Sequence, residues 1–276
     1  MARTNMRATR VKPATTELLT LRVLRREWIS PHFARITLGH DDIERFVPMG
    51  FDQWFRLFLP VPGGALDTAP RKLDMVSYLK FLTVSRSVRP VLRNYSVRHY
   101  RAEGPDGPEL DVDVVLHGSP EDGTAGPASA WARTCQPGDP VGILDEGVGF
   151  NPAVDVRDLV LVADETGLPA VANILASVDP ASRGHALIEI PEDADRQDLA
   201  APDGITITWL PRSQHTPAPA VGTLARHEAE RLTLPAEPTY GWVVGEQSLA
   251  SGLRRHWVSA GLGKDNIMFC GYWRHS

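Results

Sequence analysis

Near residue 155 the sequence changes its hydrophobic rhythm, and that change constrains the fold more than any single motif does. Before it, short runs of alternating polarity stand between Pro- and Gly-rich turns, at residues 20–26, 32–38, 54–59, 94–100, 109–116 and 140–144. Alternation with period two places one set of side chains on one face, so these runs read as strands buried on one side. Strands at this spacing, with few long helical patterns between them, predict an antiparallel β-barrel. After residue 155, continuous apolar runs at 158–163, 185–190, 205–210, 242–244 and 267–270 alternate with helical patterns opening near Pro169 and covering 221–232 and 248–260. A strand that is apolar throughout is buried on both faces, and the β-α-β alternation then implies a parallel sheet covered by helices.

The expected architecture is therefore two-domain, an antiparallel β-barrel followed by an α/β parallel-sheet domain. Its divisions are a flexible basic tail over 1–17, the barrel over 18–154 and the α/β domain over 155–276. Two stretches interrupt the barrel pattern. Residues 71–87 place Leu73, Val76, Leu79 and Val84 near helical spacing, and residues 126–131 read as a helix start.

Bulk properties narrow the function classes. A chain of 276 residues suits two domains, and 42% hydrophobic with 23% charged residues is globular composition. The net charge of −5 gives no reason to expect nucleic acid as a partner. No apolar run has the length of a membrane span, and the basic start, with Arg3, Arg7, Arg10 and Lys12, has no apolar signal core. The two cysteines, Cys135 and Cys270, form no CxxC pair, and nine histidines show no paired-ligand spacing. A reducing, cytoplasmic setting and no protein-ligated metal are the expectations.

Three segments carry chemistry. In Arg93-Asn94-Tyr95-Ser96-Val97-Arg98, residues two apart face the same way, so Arg93 and Tyr95 project together. A guanidinium beside a phenol suits a dinucleotide, one group on pyrophosphate and the other on an aromatic ring, with Ser96 as a donor to a flavin nitrogen. The same strand read alone serves equally as an ordinary exposed strand. In Gly126-Pro127-Ala128-Ser129-Ala130-Trp131, Pro at the first helical position and small neighbours expose N–H groups at a positive helix end, an anion site or simply a helix start. Between them Asp111-Val-Asp-Val-Val-Leu-His117-Gly118 is a strand whose His117 either nears a flavin edge or is a structural residue. The third segment, Asp164-Glu165-Thr166-Gly167-Leu168-Pro169-Ala170, ends the first α/β strand, where open parallel sheets bind ligands. It is not GxGxxG, and its acids would also serve as a helix cap.

Taken in order with Trp242-Val-Val-Gly-Glu246 and Gly271-Tyr-Trp-Arg274, these segments resemble the siderophore-interacting protein family, FAD-dependent ferric-siderophore reductases of the ferredoxin–NADP reductase superfamily. The resemblance runs over about residues 18–276. It implies a ferredoxin reductase-like fold, with FAD held by Arg93, Asn94, Tyr95, Ser96 and His117 and its pyrophosphate at Gly126, Pro127, Ala128 and Ser129. It places Asp164, Glu165 and Thr166 near the flavin–nicotinamide junction, Gly245 and Glu246 in the nicotinamide site, and Arg212 at a phosphate of that cofactor. Trp273 would stack over the flavin or nicotinamide, or else seal the domain interface. The chemistry is flavin-borne, with no protein nucleophile or acid–base triad. NADH or NADPH is the implied donor, with reduced ferredoxin an alternative, and a ferric siderophore is the implied acceptor. Because ferric triscatecholates are anionic, a basic rim would attract them. Arg56, in Asp52-Gln-Trp-Phe-Arg56 where the family usually has Lys, together with Lys72 and Arg274, are the substrate candidates; Lys80, Arg86 and Arg89 extend the rim. A monomer suffices. Competing readings are a flavin-dependent reductase of ferredoxin, free flavin or quinone, and a flavin-free siderophore-binding module.

Overall fold

The computed structural model describes residues 5, 10–14, 16–61, 66–72, 74–234 and 238–275. Arg3 and Arg7 of the basic tail, and Leu73 of the insert, lie outside the described residues. The chain forms two compact units. One comprises Lys12–Met49 and Gln53–Gly147; the other is built on Val148–Ser276 and also takes in Gly50–Asp52 and the first residues up to Val11.

The first unit is a seven-stranded antiparallel sheet in the order β4-β3-β7-β1-β2-β6-β5. Its strands are β1 (Leu19–Ser30), β2 (Phe33–Gly39), β3 (Trp54–Leu59), β4 (Val91–Ser96), β5 (His99–Gly104), β6 (Gly107–Val115) and β7 (Pro140–Gly147). The alternation sets the core: Leu19, Leu21 and Val23 of β1 are buried, and they join Ile36, Leu38, Phe55, Leu57, Leu110, Val112, Val141 and Ile143. Each such side chain contributes about 1.5–3 kcal/mol on burial, which is what fixes register here.

The single strand expected over 94–100 is two. At Val97 the N–H donates to Gln53 O (2.8 Å), and at Arg98 it donates to Asp111 O (2.9 Å). The chain thus leaves β3 as β4 and reaches β6 as β5, so Val97 and Arg98 link the two edge strands of the sheet. Period-two alternation runs straight through such a bend, so pattern alone cannot see it.

Helix α1 (Met75–Thr83) occupies the insert expected to be helical, and Asp74 caps it by accepting from Ser77 N (2.7 Å). Among its described side chains the one it buries is Phe81, set edge-on to Phe58 at 5.7 Å, whereas Val76 and Leu79 face outward. Helix α2 (Pro127–Thr134) packs against β2, β4 and β6.

The second unit is a five-stranded parallel sheet in the order β10-β9-β8-β11-β12: β8 (Asp158–Ala163), β9 (Arg183–Ile190), β10 (Gly204–Pro211), β11 (Thr239–Glu246) and β12 (Ile267–Trp273). Helices α3 (Leu168–Ser177), α4 (Thr223–Arg231) and α5 (Gln247–Ser259) connect them. Every residue of β8 and β11 is buried, as their unbroken apolar runs predict. Gly241 lets the Trp257 ring lie on β11, since a Cβ there would stand 2.7 Å from the ring. The strand order reverses between β8 and β11, which opens a crevice at their C-terminal ends. Among the described residues, no helix is long and apolar enough to cross a membrane.

Candidate functional site

In the first unit the candidate site gathers around β4 and the start of α2. Register places Arg93 opposite Leu57 and Tyr95 opposite Phe55, so the two share the face expected of them. Other barrel arginines are held by carboxylates: Arg25 by Glu109 (2.7 Å), Arg35 by Asp113 (2.7 Å) and Arg101 by Asp111 (2.6 Å). Arg93 differs. It is exposed, has no carboxylate partner among the described residues, and donates to the neighbouring Leu92 O at 2.8 Å. Tyr95 is half-buried on the core, and burial pushes its hydroxyl pKa up. Asn94 is exposed, and Ser96, buried, lies on the opposite face beside Trp54 in register.

Helix α2 begins at Gly126 with no side-chain cap, and Pro127 at its first position supplies no N–H. The amides of Ala128 and Ser129 therefore face outward at the positive end of the helix. The Ser129 hydroxyl accepts from His117 N (3.2 Å) and donates to His117 O (3.1 Å), fastening the exit of β6 to the first turn of α2. The His117 ring lies over Gly126, where a Cβ would stand 2.9 Å from Cε1. An unpaired guanidinium, an uncapped helix start and a glycine whose Cβ would crowd the cradle fit a pyrophosphate, and so fit FAD.

In the second unit the crevice at the β8–β11 switch is organised by Asp164. Its Oδ1 accepts from Thr166 N (2.9 Å) and Thr166 Oγ1 (2.5 Å), and its Oδ2 from Glu246 N (2.6 Å) and Trp273 Nε1 (3.0 Å). Burial, and secondarily the charge of Glu165, push its carboxyl up to about 7. Gly245 is required beside it: φ is +126°, and a Cβ would stand 2.5 Å from the carboxylate carbon. Glu246 caps α5 through Ser248 N. One carboxylate thus orients Thr166, the Gly245–Glu246 turn and the half-buried Trp273.

Two expected ligand-facing cations are already engaged. Both terminal nitrogens of Arg212 bind Glu165 at 2.7 Å, and Nη1 also reaches Glu189 at 3.1 Å, so this half-buried guanidinium neutralises two acids. Arg56 pairs with Glu146 at 2.5 Å and lies over the Trp54 ring. Arg274 and Lys72 are exposed.

Sequence reasoning missed Glu189. Fully buried, it accepts from Gly222 N (2.8 Å) and Ala225 N (3.0 Å) and so caps α4. Its signal was present as one acid inside the otherwise apolar Ala186-Leu187-Ile188-Glu189-Ile190.

Comparison with known families matches residues 22–149 to the siderophore-interacting FAD-binding domain and residues 156–276 to the siderophore-interacting protein domain. The chain belongs to the siderophore-interacting protein family. A solved siderophore utilization protein from T. fusca is 28% identical, with a TM-score of 0.77 over 97% of each chain. The fold of this family member is ferredoxin reductase-like, and its first unit is an FAD-binding domain. Among curated relatives, an NADPH-dependent ferric-chelate reductase of Escherichia coli is 28% identical over 92% of this chain and 91% of its own length. An uncharacterized protein of Mycobacterium tuberculosis is 33% identical over 67% of this chain, and the match spans 62% of that relative's length.

Proposed function

We propose that this protein is a ferric-siderophore reductase that takes electrons from a nicotinamide nucleotide, NADPH by analogy with the Escherichia coli relative, and delivers them to chelated Fe(III). The observation that carries the reading is Arg93, with no carboxylate partner among the described residues, on the strand against which the uncapped, Gly126-led α2 packs, in a unit that matches an FAD-binding domain. Bound FAD would supply the conversion that one-electron reduction of Fe(III) requires, from the electron pair of one hydride to single electrons.

The chain's own part is to bind and orient. Arg93 and the α2 amides would hold the pyrophosphate of FAD, and Tyr95 would offer an aromatic face. Ser129, by holding His117 to α2, keeps the ring over the cradle. In the second unit Asp164 fixes the Thr166 hydroxyl and the Trp273 indole at the mouth of the crevice that takes the nicotinamide nucleotide. Gly245 leaves the room in which the Asp164 carboxylate holds this geometry. Arg274, exposed near the end of β12, is the cation placed to attract an anionic ferric complex, with Lys72 a second candidate on the insert.

An anaerobic visible spectrum tests this reading. Flavin bands that bleach with NADPH or NADH and return on adding ferric siderophore support it. Bands that resist both nucleotides but reoxidise after dithionite would make reduced ferredoxin the donor. A protein that binds no FAD on reconstitution ends the reading.

A further inference from the structure

The insert between β3 and β4 carries an inverted helix. Of the large apolar side chains exposed among the described residues, more than half lie within 76–88: Val76, Tyr78, Leu79, Leu82 and Val88, with Val76 at 62% and Leu79 at 55% exposure. Val76, Leu79 and Leu82 follow one another at three-residue steps, so they form one outward stripe along α1, while Phe81 holds the opposite side to the barrel. A soluble helix normally turns that stripe inward. Here it faces out and is flanked by an excess of positive charge. Between residues 66 and 90 stand Arg71, Lys72, Lys80, Arg86 and Arg89 against Asp67 and Asp74, which leaves the insert at +3 in a chain of net charge −5. Asp74 is occupied as the helix cap. Arg89 braces the insert by donating to Leu82 O (2.8 Å) and lying over the Phe81 ring at 5.7 Å, so the stripe and its cations are held on one structure.

We infer that α1 and its flanking cations dock this protein on an anionic lipid surface, with Val76, Leu79 and Leu82 entering the headgroup boundary. A second copy is a poor occupant, because two inserts of +3 repel. The stripe itself presents no donor or acceptor for a directional protein contact. An apolar stripe edged by Lys and Arg is the pattern that interfacial helices use, with apolar burial and attraction to anionic headgroups adding together. The inference does not depend on which electron donor or acceptor the flavin serves.

Co-sedimentation with vesicles tests it. The full chain should pellet with phosphatidylcholine vesicles containing about a third phosphatidylglycerol, and only weakly with phosphatidylcholine alone. Lys80→Gln with Arg86→Gln should weaken binding about fivefold per cation at low salt, and the difference should shrink as salt rises. Leu79→Glu with Leu82→Glu, at exposed positions, should abolish pelleting with unchanged far-UV circular dichroism. No pelleting with anionic vesicles at any salt overturns the inference. So does binding that survives Leu79→Glu/Leu82→Glu, which would place the contact elsewhere, and so does dimerisation through this face without vesicle binding.

Discussion

At the scale of single residues, Arg93 and Gly245 make separate demands. Arg93→Ala removes a charge-assisted contact of about 1.5–3 kcal/mol, so the FAD dissociation constant should rise about 10- to 150-fold in a fluorescence titration while the fold stays intact. Retention of stoichiometric FAD through desalting would take Arg93 out of the site. Gly245→Ala combines a φ of +126° with a Cβ 2.5 Å from the Asp164 carboxylate, neither of which can relax cheaply. It should destabilise the protein by about 2 kcal/mol or more in urea, before any effect on nucleotide binding is counted. The shared face of Arg93 and Tyr95 and the helix start at Gly126 were legible in the sequence because strand periodicity and helix-start chemistry are local. Arg212 and Arg56 were not: a carboxylate that claims a guanidinium lies 47 or 90 positions away, and no local pattern reports it.

At the scale of elements, α1 shows what propensity does and does not carry. Its helical spacing and its Asp74 cap are readable from the sequence, yet among the described side chains of α1 the one buried against the barrel is Phe81. Asp74→Ala should cost about 1 kcal/mol of local helix stability. Because α1 rests on so few buried contacts, hydrogen exchange of its amides should quicken about fivefold while the global unfolding midpoint hardly moves. An equal shift in the global transition would mean that α1 unfolds only with the whole barrel. The bend at Val97 had the opposite problem: one strand was predicted over 94–100, strand is found on both sides of Val97 and Arg98, and the break depended on backbone bonds to Gln53 and Asp111, distant in sequence.

At the scale of the molecule, two buried carboxyls tie stability to pH with opposite signs. Hydrogen bonding to Arg25, followed by Arg101 and their charges, outweighs burial and draws Glu109 down to about 2 from an ordinary 4.5. Its contribution is present above pH 4.5 and is lost as pH falls towards 2. Asp164, raised from 3.8 to about 7, contributes fully below pH 3.8 and loses that contribution as pH rises to about 7. Urea midpoints should therefore rise from neutral pH to about 5 and fall steeply below about 4. Glu109→Gln should flatten the acid limb and Asp164→Asn the neutral one; parallel curves for either variant would remove that carboxyl from the account. The barrel-then-parallel-sheet order was legible because it depends on whole-segment hydrophobic rhythm. The place of Gly50–Asp52 with the second unit was not, since it turns on three residues.

That short stretch has a consequence for how the chain is made. Buried Asp52 accepts from Gly149 N and Phe150 N at 2.8 Å and from Trp242 Nε1 at 3.0 Å. The last of these partners emerges 190 residues after Asp52 itself. At ~5–20 residues per second the ribosome leaves about 10–40 s between the two. Through that interval the aspartate can keep its charge hydrated, so completion of its burial belongs to the end of synthesis, when β11 arrives.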